Sequence, residues 1–246
     1  NFQFDFENQN LIIDNKKIEI IDIGKEYEIE FGAITKKSAE IALSSLECST
    51  DLILSKKYNA LLTLPISKNA MHLAEFSYPG HTEYLAAKDN TKDYLMILFN
   101  DKMRVALATI HIPLKDVVLS ISKKLLENKI ANFIYSLKFD FAIKDPKIAV
   151  LGVNPHAGEN GDIGKEEIDI IIPVIEKFRN IGNLVEGPFP ADSFFAHSNW
   201  HNYDGIFAMY HDQGLTPMKM TSENGGVNFT AGLNFVRTSP DHGTGF

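Results

Sequence analysis

The stretch GIFAMYHDQGL, residues 205–215, joins a short apolar run to a cluster of polar side chains. Residues 206–209 predict a buried strand, because the run is short and its neighbours are turn-forming residues. His211, Asp212 and Gln213 follow it directly and bring groups that bind hydrogen-bond partners and metals. In open α/β sheets, ligands bind beyond the carboxyl ends of the strands. The stretch therefore predicts an α/β fold with a ligand site at a strand end.

Similar apolar runs alternate with helical patterns along most of the chain. Strands are predicted within residues 59–68, 95–100, 104–111, 147–154 and 205–211, and the opening 1–23 predicts two short strands joined at Asp14-Asn15. Apolar residues at three- and four-residue steps predict helices over 35–57, 116–141 and 166–182, the last closed by Gly182. This alternation predicts an α/β protein with a largely parallel sheet that is covered on both faces.

Composition excludes several classes of protein. The chain has 246 residues with a formal net charge of −8, so it lacks the basic surplus that binding to nucleic acid requires. Its one cysteine, Cys48, excludes a disulfide within the chain and favours a reducing compartment such as the cytoplasm. No apolar run reaches the length of a membrane span, so no membrane partner is expected. The chain begins at Asn1 and stops at Phe246, and we expect both ends to be truncated.

Three histidines each follow a predicted strand: His111, His156 and His211. Three neutral imidazoles suit a borderline divalent cation such as zinc, cobalt or nickel and leave its full positive charge to act as a Lewis acid. Their spacings, 45 (156 − 111) and 55 (211 − 156) residues, match no local metal motif. From spacing alone, histidines that are satisfied by ordinary hydrogen bonds remain the more common arrangement.

Basic and neutral donor residues also follow apolar stretches. They are Lys68, Lys219, Arg237, Asn228 and the pair His81-Thr82 in a glycine-bearing loop. Arginine binds a phosphate or carboxylate through two parallel hydrogen bonds, and lysine supplies a point charge. If these groups share the sheet edge of the histidines, they predict a small anionic ligand. For any single lysine, a solvated surface position is the alternative.

Other nucleotide and nucleophile motifs are not supported. HAGENGDIGKEE, residues 156–167, resembles a phosphate loop, but Glu166 stands where serine or threonine is required. Glu166 and Glu167 fit the first turn of the following helix instead. Neither GxGxxG nor GxSxG occurs in the sequence, which argues against a conventional Rossmann site and against a serine hydrolase.

Seven segments in order resemble the 4-hydroxythreonine-4-phosphate dehydrogenase family of pyridoxal 5′-phosphate (vitamin B6) synthesis. They are PISKNAM (65–71), YPGHTEYLA (78–86), ATIHIPL (108–114), VLGVNPHAGENGDIGKEE (150–167), GPFPADSFF (187–195), MYHDQGLTPMK (209–219) and GVNFTAGLNFVRTSPDHGTGF (226–246). The resemblance implies a two-lobed α/β/α fold similar to isocitrate and isopropylmalate dehydrogenases, with the active site in the cleft between lobes. It implies a first lobe of residues 1–100 plus 215–246 and a dimer-forming second lobe of residues 101–214.

The resemblance also implies the roles of individual residues. A divalent metal (zinc, cobalt or magnesium) would be bound by His111, His156 and His211. The substrate would be bound by His81, Thr82, Lys219, Asn228 and Arg237. The catalytic candidates are Lys68, Asp192 and Asp212. Asp212 has two alternatives, namely orienting a metal-bound imidazole or capping a helix or turn. His242, Gly243 and Thr244 would contact NAD or NADP.

The implied reaction is the oxidation of 4-phosphooxy-L-threonine to a β-keto acid that decarboxylates to 3-amino-2-oxopropyl phosphate. The metal would lower the pKa of the substrate alcohol and then stabilise the enolate. The active site would be built by both subunits of a homodimer. The alternatives are a related dehydrogenase of another phosphorylated hydroxy acid, a metal lyase that needs no nucleotide, and a non-catalytic metal-binding protein.

The sequence departs from the family pattern at both ends. An opening GDPxGIGPE-like loop is absent, and the chain stops at Phe246, before the glycine-containing loop that helps to hold the nucleotide. The nucleotide site is therefore the least defined part of the expectation.

Overall fold

The structure is a computed structural model that describes residues 2–5, 10–13, 16–24, 30, 32–222 and 225–241. The strands are β1 (Phe2–Asp5), β2 (Asn10–Ile13), β3 (Lys16–Glu19), β4 (Ala60–Leu62), β5 (Leu95–Phe99), β6 (Arg104–Leu107), β7 (Lys147–Leu151), β8 (Leu184–Phe189), β9 (Gly205–Ala208), β10 (Val227–Ala231) and β11 (Val236–Pro240). The α-helices are α1 (Lys36–Leu54), α2 (Lys68–Leu73), α3 (His81–Lys88), α4 (Leu114–Ser120), α5 (Lys123–Phe139), α6 (Ile172–Asn180), α7 (Ala191–Ala196) and α8 (His211–Met220). The predicted α/β class is confirmed.

The main sheet has eight strands in the order β4-β11-β10-β5-β6-β9-β7-β8. Four neighbouring pairs are parallel and three, all involving β5 or β10, are antiparallel. The prediction of a largely parallel sheet is therefore wrong at its centre, where the sheet is mixed. The reason is a tight turn between β5 and β6, in which the Asn100 side chain accepts hydrogen bonds from the backbone N–H groups of Lys102 and Met103 at 2.8 and 2.9 Å. Such a turn makes consecutive strands antiparallel.

The strands of each predicted lobe are neighbours in this one sheet. β4, β11, β10 and β5 lie within residues 1–100 and 215–246, and β6, β9, β7 and β8 lie within residues 101–214. The turn at Asn100 joins the halves. The lobe boundaries themselves stay predictions.

Two local predictions need correction. The opening forms three antiparallel strands rather than two, and the expected turn at Asp14-Asn15 lies outside the described residues. The helix predicted over 116–141 is two helices, α4 and α5. The break falls at Ser122, which has extended backbone and accepts a hydrogen bond from the Leu125 N–H at 3.3 Å. An N-cap of this kind starts a new helix.

Helices cover both faces of the sheet. One apolar layer packs α5 and α6 against it, and the other packs α7 and α8. At Gly214, α8 approaches β6 and β9 so closely that a Cβ on this residue would lie 2.5 Å from Val105 Cγ1 and 3.0 Å from Ala208 Cβ. This close approach fixes the position of His211 at the first turn of α8. In the described part of the chain, no helix has the length and apolar character needed to cross a bilayer.

Candidate active site

A cleft of about 380 Å³ lies beside the half of the sheet that contains β10 and β11. Its walls come from the segment after β4, the start of α3, the segment after β6, and α8. The polar residues that line it are Lys68, His81, Thr82, Glu83, His111, His211, Lys219, Asn228, Arg237, Ser239 and Asp241. Its volume lies within the range of small-molecule sites. All five residues predicted to bind substrate line this one cleft.

Two of the three predicted metal ligands meet in the cleft. His111 follows β6 and His211 begins α8 after β9, and their ring centroids are 5.7 Å apart. Burial lowers the pKa of His111, and Lys68 and His211 lower it further. His211 Nδ1 lies 2.7 Å from Asp212 Oδ1, an exposed carboxylate, so Nε2 stays available to a ligand. This contact matches the predicted alternative in which Asp212 orients an imidazole.

The third predicted ligand, His156, lies in a left-handed turn. Five consecutive residues, 156–160, have φ between 44° and 81°. Among the described residues that line the cleft, His156 does not occur. Nor do the described residues contain a group of three His, Cys, Asp or Glu side chains that could hold a metal ion. The three-histidine metal site therefore stays a prediction.

A buried carboxylate holds this left-handed turn in place. Glu167 is 1% exposed, and its Oε1 accepts hydrogen bonds from the backbone N–H groups of Val153 and Asn154, each at 2.8 Å. Its Oε2 accepts a third from the Asn154 side chain at 2.9 Å. Glu167 was expected only to favour the first turn of a helix. Glu167 does lie in the first turn of a helical segment, Glu167–Ile171. It also fixes the backbone that leads into His156, a role that depends on contacts 13 and 14 residues away.

The side chain of Gln213 connects the two strand ends that carry His156 and His211. Its Oε1 accepts from the Met209 N–H at 2.7 Å, and its Nε2 donates to the Gly152 carbonyl at 2.6 Å. One amide thus joins the residue after β9 to the residue after β7. The relative position of the two loops is set by this bridge.

Arg237 is a buried cation, and no carboxylate of the described residues is hydrogen-bonded to it. It is 3% exposed, and its guanidinium donates to the hydroxyl oxygens of Thr63 at 2.7 Å, Thr230 at 3.1 Å and Thr82 at 3.3 Å. Its Nε finds no hydrogen-bond partner within the described part of the chain. Burial lowers the pKa of Arg237 to about 10 and Glu83 opposes the shift, so the group remains charged at neutral pH. Hydroxyl groups orient this cation without neutralising it, which leaves its charge for an anion in the cleft.

Of the three threonines that hold Arg237, sequence reasoning named Thr82, as a substrate contact, and missed Thr63 and Thr230. Each of the three is short and polar in an otherwise apolar or glycine-rich context, within LLTLP, PGHTE and VNFTA. A hydroxyl on a buried strand could have marked them. Their convergence on one guanidinium could not be predicted, because 174 residues separate Thr63 from Arg237.

His81 occupies the first turn of α3 beside this cation. The N-cap of the helix is Gly80, which has no side chain to cap it, and the first-turn N–H groups have no partner within the helix. Gly80, His81 and Thr82 all line the cleft, so this helix start lies at its wall. Burial, and secondarily the charge of Arg237, lowers the pKa of His81 to about 4. His81 is therefore neutral at physiological pH and acts as a neutral donor or acceptor.

The remaining predicted residues divide into three groups. Lys219 lines the cleft, and its Nζ lies 3.1 Å from Asp241 Oδ2. Asn228 carries a buried Oδ1 without a hydrogen-bond partner, and Lys68 begins α2. Asp192 is exposed on α7 and is not among the described residues that line the cleft. The predicted nucleotide contacts His242, Gly243 and Thr244 lie outside the described residues.

The fold and the cleft define an α/β protein in which a buried guanidinium and a pair of imidazoles line one cleft. The chain belongs to the family of the pyridoxal phosphate biosynthetic protein PdxA, whose family model matches residues 3–246. It is 44% identical over 221 residues to the 4-hydroxythreonine-4-phosphate dehydrogenase of a Sulfurihydrogenibium species, covering 90% of this chain and 68% of that protein. It is 43% identical over 222 residues to the protein of that name from Bacteroides thetaiotaomicron, covering 90% and 61%.

Solved structures give the same result. The 4-hydroxythreonine-4-phosphate dehydrogenase of Klebsiella pneumoniae matches with a TM-score of 0.78 and 42% identity, covering 87% of this chain and 64% of that one. A terephthalate 1,2-cis-dihydrodiol dehydrogenase of Burkholderia xenovorans matches with a TM-score of 0.68 and 25% identity, covering 93% and 73%. This chain therefore spans about two thirds of the length of its relatives.

The left-handed turn predicts unequal effects of two alanine substitutions. Gly158 and Gly182 both have positive φ, of 81° and 87°. A Cβ at Gly158 would lie 2.6 Å from Glu167 Oε2, whereas nothing lies within 4 Å of one at Gly182. We expect Gly158→Ala to lower the free energy of unfolding by about 1–3 kcal/mol more than the matched control Gly182→Ala, as measured by urea denaturation. Equal losses would contradict the proximity of Glu167 to the turn.

The lowered pKa of His81 predicts a loss of stability at acid pH. His81 takes up a proton near pH 4 in the folded protein and near pH 6.5 in the unfolded chain. The contribution of neutral His81 to the free energy of unfolding is therefore complete above pH 6.5 and declines as the pH falls towards 4. The decline reaches about 3 kcal/mol at most. We expect His81→Gln to reduce this dependence in urea denaturation between pH 7 and 4. The variant His72→Gln, at an exposed position on α2, should retain it. If His81→Gln also retained it, the assignment to His81 would be wrong.

Proposed function

We propose that this chain forms the substrate-binding part of an NAD-dependent 4-hydroxythreonine-4-phosphate dehydrogenase of pyridoxal 5′-phosphate synthesis. The reaction oxidises 4-phosphooxy-L-threonine to a β-keto acid, which decarboxylates to 3-amino-2-oxopropyl phosphate. Family membership and the names of the relatives support the class of reaction. The single cysteine, Cys48, agrees with a reducing compartment such as the cytoplasm.

One observation carries the proposal: a buried guanidinium, to which the described residues offer only hydroxyl groups as hydrogen-bond partners, shares a cleft with two imidazoles. The substrate is a small molecule with two anionic ends and an alcohol between them. Arg237 and the free N–H groups at the start of α3 offer one place for an anion, and Lys68 and Lys219 offer others. The anionic ends then fix the alcohol carbon, which is how binding energy is used for orientation.

A divalent metal fits the donors that the cleft offers. His111 and His211 present two imidazoles, and Asp212 leaves Nε2 of His211 available. When bound there, zinc, cobalt or magnesium supplies Lewis-acid charge to the substrate oxygen. NAD, or NADP, would supply the hydride acceptor. These groups are proposals that rest on the donor set and on the resemblance.

We propose that His156 of a second copy completes the metal site in a homodimer. His156 lies on its own held turn rather than among the described lining of its own cleft. Exposed apolar side chains occur next to both histidine-bearing segments. They are Ile112, Leu114, Val118 and Leu119 after His111, and Ile163 and Ile168 after His156. Apolar side chains of this kind are suited to burial in a subunit interface.

Among the three candidates for proton transfer, the geometry favours Lys68. Lys68 lines the cleft and lies close enough to His111 to lower the pKa of that imidazole. Asp212 is 83% exposed and engaged with His211, which suits an orienting role. Asp192 is exposed on α7, away from the described lining.

A second candidate is a dehydrogenase of another hydroxy compound on the same scaffold. The structural match to a protein named as a dihydrodiol dehydrogenase supports this alternative, because it shows that the fold carries more than one substrate name. The two candidates differ in the substrate that is turned over, so a substrate panel separates them.

The proposed reaction predicts NADH formation by the full-length protein. With 4-phosphooxy-L-threonine and NAD we expect absorbance at the NADH band to rise, a chelator to abolish the rise, and added zinc, cobalt or magnesium to restore it. Turnover of the substrate without nucleotide would instead support a metal lyase. NADH formed only from other hydroxy compounds would support the second candidate. Activity that resists a strong chelator would remove the metal from the proposal.

The proposed role of Arg237 predicts the kcat/KM of a variant at this position. Arg237→Met removes the charge and its paired donors while keeping an unbranched side chain in the buried position. We expect kcat/KM for the phosphorylated substrate to fall about 100-fold or more, because charge-assisted hydrogen bonds to an anion are lost. Arg179→Met on the exposed side of α6 serves as the matched control and should leave kcat/KM within about twofold. Thermal denaturation checks that both variants fold. An unchanged kcat/KM in Arg237→Met would show that this cation does not bind the substrate.

A further inference from the structure

The cleft contains acidic as well as basic side chains. Lys68, Lys219 and Arg237 supply positive charge, and the acids among the described lining residues are Glu83 and Asp241. Asp241 is paired with Lys219, whose Nζ lies 3.1 Å away. Glu83 takes part in no ion pair and in no side-chain hydrogen bond among residues 32–222 and 225–241. It is therefore the carboxylate of the cleft that is left for a ligand.

Glu83 lies on the same wall of the cleft as His81 and Thr82, two of the predicted substrate contacts. It is the third residue of α3, after His81 and Thr82, and it is half-buried. Its Oε2 would lie 3.2 Å from a Cβ at Gly80, which places the carboxylate at the amino end of the helix. Burial dominates the lowered pKa values of His111 and Arg237, and the charge of Glu83 opposes both shifts. The charge of Glu83 thus acts on both the imidazole side and the guanidinium side of the cleft.

A simpler role for Glu83 is structural. Acidic residues in the first turn of a helix are favoured by the helix dipole, and α3 begins without a side-chain cap. That role explains why an acid is tolerated here. It does not explain why the acid lines a cleft whose other unpaired charged groups are cationic. A carboxylate at this position reduces the affinity for a ligand that carries only negative charge, so its presence favours a ligand that also carries a cation.

We propose that Glu83 is a specificity-determining residue that accepts hydrogen bonds from the ammonium group of the substrate. This inference rests on the proposed function, in which the substrate carries a phosphate, a carboxylate and an ammonium group. The cationic groups of the cleft match the two anions, and Glu83 matches the ammonium group. When a hydroxy acid without an amine is bound, the Glu83 carboxylate has no cation to pair with and lies near the negative charges of that ligand. Glu83 therefore selects the amino compound over its deamino analogue.

The test compares two enzymes with two substrates. Full-length wild type and Glu83→Gln are assayed with NAD and either 4-phosphooxy-L-threonine or its deamino analogue, 3-hydroxy-4-phosphooxybutanoate. We expect Glu83→Gln to lower kcat/KM for the amino substrate about 30–100-fold and to leave that for the deamino analogue unchanged or raised. Equal losses for both substrates, or no loss for either, would overturn the proposal and leave Glu83 with its helical role.

Two further measurements keep the test decisive. Glu176→Gln, at an exposed position on α6, is the matched control and should change neither value. Isothermal titration calorimetry gives the Kd of both compounds for both proteins without requiring turnover. If wild type binds the amino compound more tightly and Glu83→Gln loses that preference, Glu83 reads the ammonium group even where no NADH forms. In that case the proposed reaction fails and the specificity assignment stands. A preference that survives in Glu83→Gln overturns the assignment, whatever the outcome for NADH.

Discussion

The amide of Gln213 is the contact on which the arrangement of the strand ends depends. It accepts from Met209 after β9 and donates to Gly152 after β7, at 2.7 and 2.6 Å. Because an amide has an acceptor and donors in one rigid plane, a single side chain satisfies both backbone groups and fixes the distance between them. Glu167 then fixes the next two residues after Gly152, so the chain from β7 into the left-handed turn has little freedom. The loops that carry His156 and His211 are therefore positioned by side-chain contacts rather than by sheet pairing alone.

Arg237 imposes a second constraint, of the opposite kind. Burying a charge without a carboxylate partner is unfavourable, and hydroxyl groups from three separate segments of the chain compensate only in part. The sheet order makes this arrangement possible, because β11 lies between β4 and β10 and so brings Thr63 and Thr230 to either side of the guanidinium. A carboxylate hydrogen-bonded to the guanidinium would stabilise the fold better but would neutralise the anion site, whereas Glu83 acts on Arg237 only through its charge. His81, beside Arg237, adds no second buried positive charge, because its lowered pKa keeps the imidazole neutral.

Periodicity and strand-end reasoning predicted the parts of the fold that local sequence determines. α1, the strand before His211, and α6 with its end near Gly182 appear where apolar spacing placed them, and His111 and His211 meet as strand-end residues should. The mixed centre of the sheet was missed, because the turn at Asn100 reverses the chain through hydrogen bonds that spacing does not encode. The role of Glu167 was missed for a related reason: an acid at the start of a helix satisfies a local rule, and its loop contacts are visible only in three dimensions. The sequence analysis gave Glu83 no role in the cleft for the same reason, because an acid in the first turn of α3 also satisfies the local rule.

The left-handed turn connects the geometry of one chain to its proposed assembly. Five consecutive residues of positive φ are costly for residues with side chains, and such conformations persist only where surrounding contacts hold them. Here the contacts come from Glu167, whose carboxylate occupies the space that a Cβ at Gly158 would need. A turn held at this cost, carrying a histidine that does not occur among the described lining of its own cleft, is explained if that histidine serves a second copy. On this proposal, Gln213 joins the loop of His211, which serves the site of its own subunit, to the loop of His156, which serves the site of the second copy. Each subunit of the dimer would then position parts of both sites through one amide.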